Sequence, residues 1–254
     1  DVAEITAEIL NKSGINMNFA PVLDIDNGSK SKALYKRCFY GDIDNISECA
    51  NSYVDAFSNN NVIAVVKHYP GHGATTVDSH FMVPYVYNYK EVLNKHIIPF
   101  ENAIKNDVDA MMVGHLVIRN LTYGWPASAS NKFIKDYIRD KYNYDNLIIT
   151  DEVSMLSNKL LYRYDKYLEK VFMTDNDIIL VKIKNINEGY SIIERYTKMI
   201  SKNKDIFLQL DKSVERILRI KKKYSIDDLV NYKGIDIDKI NEKIDKINEM
   251  VSSN

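Results

Sequence analysis

The chain has 254 residues, 45% hydrophobic and 27% charged, with a formal net charge of −1. That length can bury one sizeable α/β core, and the near-neutral balance gives no broad surface for nucleic acid or an anionic membrane. No apolar run approaches the roughly 20 residues of a membrane span.

Residues 2–12 place Val2, Ile5, Ile9 and Leu10 on one helical face, ended by Ser13-Gly14. INMNFAPVLDID (15–26) reads as a strand closing in Asp24 and Asp26, followed by a polar loop to Arg37-Cys38-Phe39. Helices are predicted over 44–60, 89–106 and 130–142, the last capped by Ser130. Strands are predicted over 62–67, 109–117, 147–149 and 177–182. A helix is expected around 160–173, and 186–224 reads as mostly helical, its basic run from Arg216 to Lys223 a solvated end. In the tail, Ile237, Ile240, Ile244, Ile247 and Val251 mark an amphipathic helix expected to pack on the exterior.

Strands thus alternate with helices, and Asp24, Lys67-His68, His115 and Asp151 stand at strand ends. This is the pattern of a (β/α) barrel with its chemistry at the carboxyl ends. A closed (β/α)8 TIM-like barrel needs three more strands than are predicted, so the expectation is a partial barrel over 1–224 and a helical tail over 225–254. The two cysteines, Cys38 and Cys49, make no CxxC and favour a reducing compartment. Asp1 already lies inside a helical pattern, which reads as a fragment or processed product.

The stretch 62–80, VIAVVKHYPGHGATTVDSH, concentrates reactive side chains. Its apolar, β-branched opening suits a strand buried on both faces, and Pro70-Gly71 breaks it into a loop. Two readings compete. His68 and His72, with Asp78 and His80 beyond, are metal-ligand types, but Pro70-Gly71 prevents the two histidines from sharing a helix face. Alternatively, Asp78 accepts the Nδ1 proton of His80, leaving Nε2 to exchange protons with a substrate, while Asp151 supplies a nucleophilic carboxylate. The plainer option is that Asp78 and His80 only tie down a loop. The residues alone leave these last two open.

KHYPGHGATTVDSH resembles the KHFPGHG…DSH signature of the glycoside hydrolase family 3 β-N-acetylglucosaminidases. INMNFAPVLDID and KRCF before it, and GHL, WPASAS, NLIITDEVSM and SVERILRIKKKY after it, stand in the family's order, so the resemblance runs from residue 1 to about 224. It implies that Asp151 is the nucleophile and His80 the general acid/base held by Asp78. It further implies that Arg37, Lys67 and His68 bind hydroxyls of the terminal sugar, without metal or cofactor. His72 is expected to shape the loop, His115 to pack or bond beneath the site, and Glu152 to support Asp151 or rival it.

The implied activity is a retaining exo-β-N-acetylglucosaminidase acting on carbohydrate of the muropeptide type, with family habit favouring cytoplasmic cell-wall recycling. Ala74 and Glu152 depart in minor ways from the family pattern. The larger departure is that the family carries three more βα units ahead of the point matching residue 1, including an acidic sugar-gripping residue. A β-glucosidase or β-xylosidase of the same family, a non-catalytic sugar-binding remnant and a metal-dependent hydrolase are the rival readings. The DSH dyad argues against the first.

Overall fold

A computed structural model describes residues 1–26, 34, 36–75, 77, 82–154, 163–226 and 234–252. The strands among them are β1 (Met17–Asn18), β2 (Ile63–Tyr69), β3 (Tyr85–Val86), β4 (Ala110–Val113), β5 (Val117–Ile118) and β6 (Leu147–Thr150). β1, β2, β4 and β6 form one parallel sheet in that order, with Met17 opposite Ile63, Val65 opposite Ala110 and Ala110 opposite Leu147. Parallel neighbours require crossover connections, and the helices Ile43–Asn59, Ile98–Lys105 and Asn131–Ile134 lie between successive strands. β3 and β5 make a separate parallel pair beyond the carboxyl ends of β2 and β4.

The expected α/β class is therefore observed. Among the described residues, however, the sheet is open, with β1 at one edge and the segment around Ile178 beyond β6 at the other.

The sheet is apolar on both faces because helices cover both. Ala64, Val66, Met111 and Ile148 pack against Val54, Phe57, Phe100, Phe133 and Ile138 in the larger core. Ile63, Val65, Ala110, Met112, Leu147 and Ile149 form a second core with Ile220 and Tyr224. A closed barrel turns one such face into its interior. Here the end of the helix Lys204–Lys223 covers it.

Three predicted strands are realised only in part, and the middle one, 109–117, ends as β4 at Val113 and resumes only in β5 of the separate pair. The first is interrupted at Ala20-Pro21, where Pro21 has no N–H to donate, and resumes at the bridge between Val22 and Lys67. The last, 177–182, bridges only at Ile178 because side chains replace part of its ladder. Thr150 Oγ1 accepts from the Leu180 N–H, and Glu152 Oε1 from the Lys182 N–H.

Helix ends follow their caps: Asp42 accepts from the Asn45 N–H, Ser130 from Phe133, and Asn185 from Glu188. Asn203 caps a new helix, Lys204–Lys223, dividing the predicted helical stretch in two.

The basic run is not wholly solvated, a correction to its predicted reading. Arg216 is buried and donates to Asp145 and to Asp177, whose side chain has no solvent exposure and which Arg139 also grips at 2.7 Å. Lys223 and Tyr224 both bond Asp109 at the amino end of β4. These groups lock the helix Lys204–Lys223 beneath the sheet. The tail helix Ile237–Ser252 buries Ile240 and pairs Lys243 with Glu8 on the first helix, Val2–Lys12. No helix among the described residues is long and apolar enough to cross a membrane.

Candidate active site

Parallel pairing brings the carboxyl ends of β1, β2, β4 and β6 to one side of the sheet. The floor there is Asp24, which has no solvent exposure. Its Oδ2 accepts from His68 Nδ1 at 2.7 Å and from the His68 N–H at 3.3 Å, and its Oδ1 accepts from the His72 N–H at 2.5 Å. Burial alone raises a carboxyl pKa, but the His68 ring, followed by His72, outweighs it and holds Asp24 below its ordinary range. An ionised Asp24 only accepts, so His68 carries its proton on Nδ1 and keeps Nε2 as an acceptor in the neutral ring.

The Pro70-Gly71-His72-Gly73 turn delivers the His72 amide to Asp24. A Cβ on Gly73 would stand 1.9 Å from the Ile25 carbonyl oxygen, and one on Gly71 2.6 Å from His96 Cβ. Gly71 also has φ of +116°. The loop thus lies directly on the end of the first strand segment, which only glycine permits. His72 itself is buried, and burial lowers its pKa despite the opposing charge of Asp24. The His68 and His72 rings meet edge to face with centroids 6.0 Å apart. Among the described residues no group of three His, Cys, Asp or Glu side chains is arranged to hold a metal ion.

Lys67, at the end of β2, is half-buried between charges of both signs. Burial lowers its pKa, the Arg37 guanidinium lowers it further, and Asp151 and Asp24 pull the other way. Arg37, Lys67 and Asp151 therefore share one electrostatic neighbourhood although they come from three separate segments. Cys38, beside Arg37, is pushed up to about 12 by burial and by Asp24 and Asp26, leaving an unreactive thiol.

Asp151 follows β6 directly. Its N–H donates to the Val113 carbonyl of β4, and its Oδ1 accepts from the Glu152 N–H at 2.8 Å. Glu152 Oε1 receives the Ser154 N–H at 2.7 Å, the Ser154 hydroxyl and the Lys182 N–H at 3.1 Å. That carboxylate is occupied in tying the turn to the neighbouring segment. His115 is buried just beneath, with Nδ1 2.7 Å from Ser128 Oγ and Nε2 2.9 Å from the Glu152 carbonyl.

Of the predicted site residues, Arg37, Lys67, His68 and Asp151 lie among the described residues, while Asp78 and His80 lie outside them. Sequence reasoning marked Asp24 only as a polar strand end and gave Ser128 and Tyr167 no role. WPASAS was legible as a motif, but nothing local to it reveals that Ser128 faces His115.

The family model for the glycosyl hydrolase family 3 N terminal domain matches residues 1–220. The chain belongs to glycosyl hydrolase family 3. This family 3 chain is 30% identical over 182 residues to a beta-hexosaminidase of Haemophilus influenzae, a match covering 71% of the chain and 50% of that protein. It is also 30% identical over 169 residues to a beta-hexosaminidase of Mannheimia succiniciproducens, covering 66% and 48%.

Among solved structures it resembles a family 3 beta-N-acetylglucosaminidase from Paenibacillus sp. at TM-score 0.80 and 25% identity, covering 97% of the chain and 49% of that protein. CbsA from Thermotoga neapolitana shares the fold at TM-score 0.77 and 24% identity, with 91% and 50% covered. The chain spans about half the length of these curated relatives.

Proposed function

We propose that this chain forms the sugar-cleaving part of a retaining exo-β-N-acetylglucosaminidase that removes terminal N-acetylglucosamine from peptidoglycan fragments. One observation carries the reading. A carboxylate at the end of β6, Asp151, faces the same neighbourhood as Lys67, Arg37 and the Asp24-held His68. Family membership and relatives named beta-hexosaminidase support the substrate class.

In this scheme Lys67 and Arg37 donate to sugar hydroxyl oxygens, and His68 Nε2 accepts from a hydroxyl. The Asp151 carboxylate attacks the anomeric carbon as the glycosidic C–O bond breaks, and protonated His80 gives its proton to the leaving oxygen. Neutral His80 then takes a proton from water, whose oxygen displaces Asp151 and restores the starting configuration. Asp78 holds the His80 ring throughout.

Turnover of a chromogenic β-N-acetylglucosaminide by the 254-residue chain, compared with Asp151→Asn, tests this. Turnover abolished in the variant is the expected result. A folded chain that binds N-acetylglucosamine but cleaves nothing favours the second reading, a sugar-binding remnant. The half-length coverage of the relatives motivates that alternative. Faster cleavage of a β-glucoside than of the N-acetylglucosaminide overturns the substrate assignment.

A further inference from the structure

Glu152 is held at three points: its N–H, its carbonyl and its carboxylate. The N–H donates to Asp151 Oδ1 at 2.8 Å, and the carboxylate is tied to Ser154 and Lys182. The carbonyl lies 2.9 Å from His115 Nε2. A carbonyl only accepts, so His115 carries its proton on Nε2 and its Nδ1 is an acceptor in the neutral ring. Two hydroxyls serve that acceptor: Ser128 Oγ at 2.7 Å and Tyr167 Oη at 3.2 Å, themselves 3.2 Å apart. All three side chains are buried. Burial lowers the pKa of His115 against the opposing charge of Asp151, so the ring is neutral near pH 7.

This arrangement suits holding, not proton transfer. His115 Nε2 is committed to a main-chain oxygen, and its other nitrogen faces two buried hydroxyls. We propose that His115, with its tautomer set by Ser128 and Tyr167, is a positioning residue for Asp151. Its Nε2–H fixes the Glu152 carbonyl, and the Glu152 backbone in turn aims its N–H at Asp151 Oδ1. The inference rests on the reading of Asp151 as nucleophile. A carboxylate turned away from the anomeric carbon loses the near-attack geometry on which displacement depends.

The test compares His115→Leu with His115→Gln in the 254-residue chain. Leucine fills the space without a donor, whereas glutamine places an amide N–H near the position of Nε2. The expected result is a fall in kcat of about 10- to 100-fold in His115→Leu. KM stays within about threefold of wild type, and His115→Gln recovers most of the loss.

A second measurement does not depend on turnover. The wild-type ring should show the Nε2–H tautomer by 15N NMR, and the Glu152 amide proton should shift in His115→Leu and return in His115→Gln. A folded His115→Leu with wild-type kcat overturns the proposal, as does a Glu152 amide that does not move. If His115→Leu does not fold, Ser128→Ala must move the same amide, and an unmoved amide there is equally decisive. A shifted amide in a chain that cleaves no glycoside supports the hydrogen-bond linkage and overturns only the reading of Asp151 as nucleophile.

Discussion

His68 Nδ1 and Asp24 Oδ2 stand 2.7 Å apart although 44 residues separate them in the chain. One buried carboxylate thereby sets the tautomer of a site histidine and anchors the loop that follows it. Asp24→Asn preserves shape but cannot accept from both His68 Nδ1 and the His72 N–H at full strength. The expected loss is about 3 kcal/mol of stability by urea unfolding.

The same pair dictates an acid dependence. The Asp24 pKa is lowered on folding, so its stabilisation is fully present above the unfolded carboxyl value of about 3.9. It is lost as pH falls through the lower folded value. Unfolding free energy measured from pH 6 downward should therefore decline in the wild type below about pH 4, with a shallower decline in Asp24→Asn. Parallel curves would deny Asp24 this role.

Gly73→Ala tests the contact between loop and strand. A methyl group at 1.9 Å from a main-chain oxygen cannot be accommodated by side-chain movement. The backbone must shift, costing about 1–3 kcal/mol as other overpacked sites do. Because the shift carries the His72 amide away from Asp24, catalytic loss should exceed what residual unfolding explains. Matched measurements of the folded fraction and of kcat check this.

Arg216→Lys probes the lock beneath the sheet. Lysine cannot reproduce the fork that serves Asp145 and Asp177 together. Leaving Asp177 partly unmatched in a buried setting should cost about 3 kcal/mol. Lys222→Ala, on the exposed side of the same helix, should stay within about 0.5 kcal/mol of wild type. Equal effects in denaturant titrations would return the basic run to the solvated reading.

The position of Lys67 predicts an alkaline limit to sugar binding. Burial, then the charge of Arg37, lowers its pKa, so it discharges at lower pH than an ordinary lysine. kcat/KM should fall at alkaline pH with a midpoint below about 10.4, the value of a free lysine. Arg37→Gln removes one cause of the lowering and should move that midpoint up, even as it weakens binding. An unchanged midpoint would separate the two cations.

Val62 to Val66, the break at Pro70-Gly71 and the succession of strand ends are local patterns. Such patterns announce a buried parallel strand and place Lys67, His68 and Asp151 at the ends of their strands. Helix caps at Asp42, Ser130, Asn185 and Asn203 are equally local, since a cap bonds within three residues of itself.

The order of several spaced motifs also made the family legible in the linear chain. Partner choice was not. That Asp24 serves His68, that His115 meets Ser128 and the Glu152 carbonyl, and that Arg216 reaches Asp177 depend on which segments become neighbours. The covering of the sheet's second face by Ile220 and Tyr224 belongs to the same class.

Periodicity specifies which side of an element is buried, and turn chemistry specifies where it ends. Neither specifies what lies opposite. Strand register and helix docking set those distances across tens of residues, so the tertiary structure alone decided which buried polar groups found their partners.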